Sequence, residues 1–581
     1  MSLRLRVLGL LLAVVAATAG CVAMPDEGPV VEAPQEQRGP DRSPAFIDPV
    51  PPRPGATPPD IVAGFLAAMR ATPVRTSVAR QYLTESAQAT WSPNRRIITY
   101  ADSDRPVGTV QVSVGLTGAN FLDAGGVWQG PLAGGSPTLE FPMAAEAGEW
   151  RIAQAPDALI VTDLWFGQRF RQVSVYFFDQ TARVLVPEPV FVPRGEQLAT
   201  VLTERLLDGP GPDLSEVARS FFPDESQLGL SVTVGEDGLA EVEVASDGGG
   251  LSAQAAPLAV AQLAWTLRQD PAISRVRLTF DGEPVVLEGG ETEPGVASGA
   301  AFDPTGLSSS ALFGLRNGRV VDASADPEST LSGPMSQLDY RLRSIAVDLS
   351  ATTVAGVTAD GGRMLVAPVR SEDPAVTEVL RGGRDLLRPS WDAAGRLWFV
   401  DRRPSGALVS YLRNDRVRAV EVPGVSGRRV SSFLVSRDGT RLVVVIASRG
   451  GDRVLVSRLR QGVGGRILGA GPAQVIAGGN PDDPLRIRGI QWRSPTHVAA
   501  VTGINETRDE LRLISVDGSP ASAESLGWTR LLLGDRARRF VSSPVRTDPM
   551  LVVTSDGVTD PLDATDDPLV DPRVRSLTYV G

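Results

Sequence analysis

Few side chains in this sequence are equipped for covalent, acid–base or metal chemistry. Among 581 residues there is one histidine, His497, and one cysteine, Cys21. Bases, nucleophiles and metal ligands are usually drawn from those types, set close to one another or to a carboxylate. His497 stands between Pro495-Thr496 and the strand-like run Val498 to Val501, and reads as a solvent-facing turn residue rather than a base. Asp102 and Asp104 flank Ser103 just before Arg105-Pro106, a stretch whose chemistry is that of a turn. A glycosidase-like pair of carboxylates stays open as an alternative, because spacing in sequence does not fix spacing in space. The residues thus supply no catalytic set, no metal cluster and no cofactor motif, and the chain reads as a non-enzyme.

Cys21 has a different setting. Arg4 and Arg6 precede an uncharged apolar run, Val7 to Ala19, and Ala19-Gly20 leads into the cysteine. This is the layout of a secretory leader over residues 1–20. Thirteen residues rise only about 20 Å as a helix, short of the roughly 30 Å hydrocarbon core, so cleavage is the better reading than a permanent span. A lone cysteine cannot staple a domain. Placed here it resembles the lipobox of bacterial lipoproteins, with Thr18 where that family usually has Leu, and the resemblance implies acylation of Cys21 and a lipid anchor on the outer face of the cell membrane. Ordinary cleavage with an incidental thiol is the alternative.

The elements behind the anchor begin with a tether, residues 21–58, dense in proline and nearly free of apolar periodicity. Extended, it would reach on the order of 100 Å. The rest is ordinary globular sequence, 42% hydrophobic and 22% charged, long enough for about three to four domains. All 57 basic residues are arginine, and the net charge of −11 opposes binding to nucleic acid. The cluster Arg536, Arg538 and Arg539 reads as solvated surface.

Residues 59–168 open with helical spacing, Asp60 capping Ile61, Phe65, Leu66 and Met69. A second helix is expected from Val78 toward Trp91, followed by strands at Arg96 to Tyr100, Thr109 to Val114, Thr138 to Met143, Glu149 to Ile152 and Ala158 to Val161. Helices before a curved antiparallel sheet make an α+β domain resembling the cone of the nuclear-transport-factor type. Residues 169–290 read β-β-α-β-β-α-β. Val173 to Phe178 is a strand, and Val184 to Val192 is one broken by Pro187 and Pro189. A helix stops at Leu206-Leu207-Asp208-Gly209-Pro210, a hairpin joins Leu230 to Val234 with Leu239 to Val244, and a helix, Ala256 to Arg268, precedes the strand Arg275 to Phe280. The strand Val173 to Phe177, the Leu-Leu-x-Gly-Pro stop and the alternating valines 232, 234, 242 and 244 resemble the GerMN domain, regarded as a binding or assembly module. The Gly- and Glu-rich tract Glu288 to Ser298 reads as a hinge or a wrapped connection.

Residues 299–581 repeat a pattern of strand, polar turn and strand, with Val347, Trp391, Val435 and Trp492 at equivalent places 44, 44 and 57 apart. That period indicates a propeller with blades of the TolB or WD-repeat type. Five internal units are visible. Arg575 to Gly581 supplies only an opening strand, and Ala311 to Leu315 with Arg319 to Val321 would complete it as a sixth, composite blade. Lipobox, tether, α+β domain, GerMN-like domain and propeller, in that order, resemble the actinobacterial LpqB lipoprotein family. The resemblance implies an accessory lipoprotein that acts on the external region of the MtrB sensor histidine kinase, and so on MtrA and wall homeostasis, with its binding residues unassigned. A binder or carrier of wall glycan or lipid precursor is the alternative, requiring a pocket in the first domain or at a domain junction.

Overall fold

The computed structural model describes residues 48–581, apart from 133–135, 196, 325–330, 372–374, 480–483, 556, 564–569 and 572. The leader, Cys21 with its lipidation, and the tether up to residue 47 lie outside the described residues.

The first helix spans Pro58–Ala68 and begins after Thr57, earlier than the cap expected at Asp60. Proline fits the first turn because the N–H it lacks would have no partner there. Thr57 donates its hydroxyl to the Asp60 carboxylate (2.6 Å), and Asp60 sits inside the first turn. Ile61, Val62, Phe65 and Met69 are buried against Trp91 and Phe141. The single second helix is corrected to two short ones, Ser77–Arg80 and Glu85–Thr90. Leu83 bridges to Ile152 between them, and the Thr84 hydroxyl caps the second through the Ala87 N–H.

The expected one antiparallel sheet is also corrected, to two sheets. One has the order Trp128–Pro131, Asn120–Asp123, Arg96–Tyr100, Leu159–Thr162, and its last pair is parallel. The other runs through Gln111–Thr117, Thr138–Glu146 and Glu149–Ile152. Asn120–Asp123 and Trp128–Pro131 escape a sequence reading because Gly118, Gly125, Gly126 and Gly130 interrupt their alternation.

In the second domain the strand Phe170–Asp179 pairs along its whole length with Leu185–Pro193, which is unbroken. Pro187 and Pro189 are two apart on an edge strand, opposite Tyr176 and Ser174, so their missing N–H groups both point away from the ladder. The helix Leu198–Leu207 ends as its sequence requires, Gly209 adopting φ +74°. Of the expected hairpin only Thr233–Val234 pairs with Leu239–Ser246. Ser226–Leu228 takes the rest of that edge, and Leu230 is fully exposed. Arg275–Phe280 lies parallel to Leu239–Ser246, and the helix Ala256–Leu267 is buried along most of its length.

The Glu288 to Ser298 tract is a wrapped connection. Val276 N–H bonds Pro294 O, Val296 N–H bonds Ser274 O, and Gly299 lies so near Trp265 that an added Cβ would stand 2.9 Å from its side chain.

Beyond it, six sheets form the propeller. The innermost strands, Leu342–Val347, Ser390–Trp391, Val430–Val435, Ile487–Ser494, Arg539–Val541 and Arg575–Thr578, touch one another in succession, and the last touches the first. The closing sheet is composite: Phe313–Arg316 pairs with Arg319–Asp322 on one side and with Arg575–Thr578 on the other. Gly581 N–H also bonds Val347 O, locking the end of the strand to the next blade. Pro49–Gly581 forms one compact unit.

Candidate functional site

The densest set of buried charges lies where the second domain meets the propeller. The turn Ser436-Arg437-Asp438-Gly439-Thr440 follows an innermost strand, and the Asp438 carboxylate holds it by accepting the Ser436 hydroxyl (2.8 Å) and the Thr440 N–H (2.8 Å). Gly439, at φ +73°, allows the reversal. The strand that leaves the turn starts at Arg441, whose guanidinium donates to the Glu188 carboxylate (2.8 Å) and to Pro187 O (2.5 Å) on the domain above. Arg458 donates to the other Glu188 oxygen (2.5 Å). Glu188 and Arg441 are buried, so each charge depends on the other for its solvation.

A second chain of polar contacts runs beside it. Asp179 accepts the Gln461 amide (2.9 Å), the Gln461 carbonyl accepts Arg396 (3.0 Å), and Arg396 pairs with Asp392 (2.6 Å), which also accepts the Trp398 indole N–H (2.7 Å). Arg396 and Asp392 are buried, so domain and propeller are joined through a desolvated network. Farther round, Gln172 donates to Ser515, Asp517 and Ser519 (3.0 to 3.1 Å), where burial raises the Asp517 carboxyl above its ordinary range. Arg194 pairs with Glu524 (2.6 Å) at the rim.

Beside these contacts, between the second domain and the propeller, lies a cavity of about 460 Å³. Tyr176, Trp265 and Gln269 line it from the second domain, and Arg437, Trp492 and His497 from the propeller. Arg268 stacks over Trp265, 3.6 Å from the ring centre. Burial pushes the Tyr176 phenol up to about 12. Arg437 donates Nη2 to Val580 O (3.0 Å) and Ser543 Oγ (3.4 Å), while Nη1 has no partner. Burial pulls this guanidinium down to about 10, partly opposed by Asp548 and Asp303.

His497 is corrected from a solvent-facing residue to a buried one, because its turn lies under the domain above. Its Nδ1 is 3.1 Å from both Ser494 Oγ and Thr496 Oγ1, and Nε2 has no partner. Burial lowers its pKa to about 4, so the ring is neutral at neutral pH. Ser494 beside it looks like a nucleophile next to a base, yet an imidazole with so low a pKa and no acid on Nε2 is a weak proton acceptor. Among the described residues no group of three potential ligands could hold a metal.

Asp102 and Asp104 stay far from this junction in the first domain. The turn expected there is corrected to a short strand: Asp102–Ser103 pairs with Leu116 and Thr117, and Asp102 also accepts the Ser103 N–H (2.8 Å). Sequence reasoning missed Glu188, Arg441, Arg458 and Asp179, and only Glu188 left a trace, as a charge between two prolines in an apolar strand.

Three family models match in order. Residues 51–167 match the N-terminal domain of lipoprotein LpqB, 174–286 the family described as sporulation and spore germination, and 318–531 the lipoprotein LpqB beta-propeller domain. Lipoprotein LpqB of Thermobifida fusca (strain YX) is 29% identical over 575 residues, 87% of this chain and 89% of that one. The lipoprotein LpqB of Mycolicibacterium smegmatis is 27% identical over 562 residues, 89% of each. Among solved structures, the first GerMN domain of the sporulation protein GerM from Bacillus subtilis aligns with 21% of this chain and 93% of its own length, at 22% identity and a TM-score of 0.18.

Proposed function

The chain belongs to the actinobacterial lipoprotein LpqB family, and from that membership we propose that it is an extracytoplasmic lipoprotein, acylated on Cys21, that modulates a two-component sensor kinase by binding. The kinase in question is of the MtrB type, with MtrA as its regulator. A modulator of this kind acts by differential affinity: contact with the sensor's external domain must be tighter in one signalling state than in the other. A difference of about 1.4 kcal/mol changes the ratio of states tenfold.

The observation that carries this reading is the buried junction, where Glu188, Arg441 and Arg458 tie the GerMN-like domain to the propeller. The test is regulator phosphorylation in a strain lacking this gene. The full chain should restore it and a chain without residues 299–581 should not; full restoration by the truncated chain would remove the propeller from the mechanism.

The second reading, a binder of wall glycan or lipid precursor, is favoured by the junction cavity with its Tyr176, Trp265 and Trp492 faces. Recovery of glycan or lipid, instead of a kinase, after crosslinking in whole cells would favour it.

A further inference from the structure

The six innermost strands cross the propeller in one direction. Turns at their far ends, carrying Arg437, Pro495 and Val545, line the cavity under the GerMN-like domain. Their starts therefore gather on the opposite face, around the other mouth of the ring. Each start bears arginine: Arg343, Arg388, Arg429, Arg488, Arg539 and Arg575 stand within two residues of the first position of their strands.

Two of the six are neutralised, Arg343 by Asp385 (2.6 Å) and Arg488 by Asp509 (2.8 Å). Two more meet only carbonyls and a hydroxyl. Arg388 donates to Leu577 O (3.0 Å) and Ser576 Oγ (3.2 Å), and Arg539 donates to Val574 O (3.2 Å). Arg429 and Arg575, with the neighbours Arg428 and Arg538, are exposed and make no side-chain hydrogen bond or ion pair among the described residues. On a chain of net charge −11 this is a local reversal of sign, which gives the mouth an attractive field of its own.

We propose that this open mouth of the propeller binds a flexible polyanion that carries phosphate groups. Guanidinium forks suit phosphate, and a phosphate presents acceptor oxygens on several sides, so arginines arriving from different blades can share one. A carboxylate offers two oxygens in a plane. The residues gathered here are arginines, and none of the strand starts presents an exposed aromatic anchor of the kind a protein partner would seat. The polymer lies across the ring, its phosphates meeting the unpaired guanidinium groups in turn.

The test is anisotropy of end-labelled inorganic polyphosphate titrated with the chain freed of its leader and anchor, which lie outside the described residues. If four guanidinium groups each meet a phosphate, affinity should fall about fiftyfold between about 50 and 200 mM salt, the slope found for single-stranded polyanions. The combined variant Arg428→Ser, Arg429→Ser, Arg538→Ser, Arg575→Ser should weaken binding about tenfold or more and leave the thermal midpoint in place, since these side chains hold nothing. Removing two exposed arginines of the first domain, Arg95→Ser with Arg105→Ser, should change nothing. Wild-type affinity in the fourfold variant would overturn the proposal. So would equal affinity for poly-glutamate, which would point to an acidic protein, or binding to anionic lipid vesicles with none to polyphosphate.

Discussion

Glu188 holds two arginines, and one of them, Arg441, is buried with no water to fall back on. Replacing it with Ala leaves Arg441 buried with Asp438 at 3.9 Å as its only nearby carboxylate, a loss worth about 3 kcal/mol or more. Denaturant unfolding of Glu188→Ala should show this as a lowered midpoint, and an unchanged midpoint would mean that the pair is hydrated in solution. His497 sets a pH dependence. Folded, it stays neutral down to about pH 4, whereas in the unfolded chain it takes up a proton near 6.5. The unfolded state therefore binds the extra proton first as the pH falls. Stability fully present above pH 6.5 is lost toward pH 4, on the order of 3 kcal/mol in all. Asp517 and Asp548, whose carboxyls burial raises, act in the opposite sense, so the contribution is read from the difference between wild type and His497→Gln. That difference should grow between pH 7 and 5; parallel curves would refute the burial. None of this was legible in the sequence. An arginine in a Ser-Arg-Asp-Gly turn looks the same whether solvent or a second domain lies above it, and the histidine was misread for that reason.

The strands fared better than the side chains. Continuous apolar runs over Arg441–Ile446 and Leu397–Arg403, with Asp-Gly or Ala-Gly turns before them, were enough to count blades, because each blade repeats one physical problem. The composite blade was legible for a similar reason: Arg575–Thr578 had no partner nearby in sequence, and the hairpin of Phe313–Arg316 with Arg319–Asp322 lacked an innermost strand. Elements interrupted by glycine or held by pairing rather than pattern were missed or misdrawn, as with Asn120–Asp123 and the supposed break at Pro187. The closing seam offers a sharp test. A Cβ on Gly314 would stand 2.2 Å from Val574 Cγ1 and 3.2 Å from Arg575 O, so Gly314→Val should force the last strand away. Deleting residues 575–581 should do the same, removing the acceptors of Arg388 and Arg437 and exposing an unpaired edge. Protease sensitivity confined to the C-terminal half is the expected result for both, and wild-type resistance would show that the seam is not needed.

At the scale of the molecule, order of modules was legible and their fusion was not. Sequence left Glu288 to Ser298 as hinge or wrap, and the pairing of Val276 and Ser274 with it decides for the wrap. The anchor is tested separately: Cys21→Ser should release the mature protein from the membrane fraction or leave it uncleaved, and unchanged retention with unchanged mass would sink the lipid anchor.

The composite blade also dictates a timetable. Phe313 pairs with Thr578, so about 260 residues separate the two halves of the clasp, a contact of very high sequence separation. The ring cannot close before Arg575–Thr578 has been made, so a chain stopped short of that strand holds open blades and an incomplete mouth.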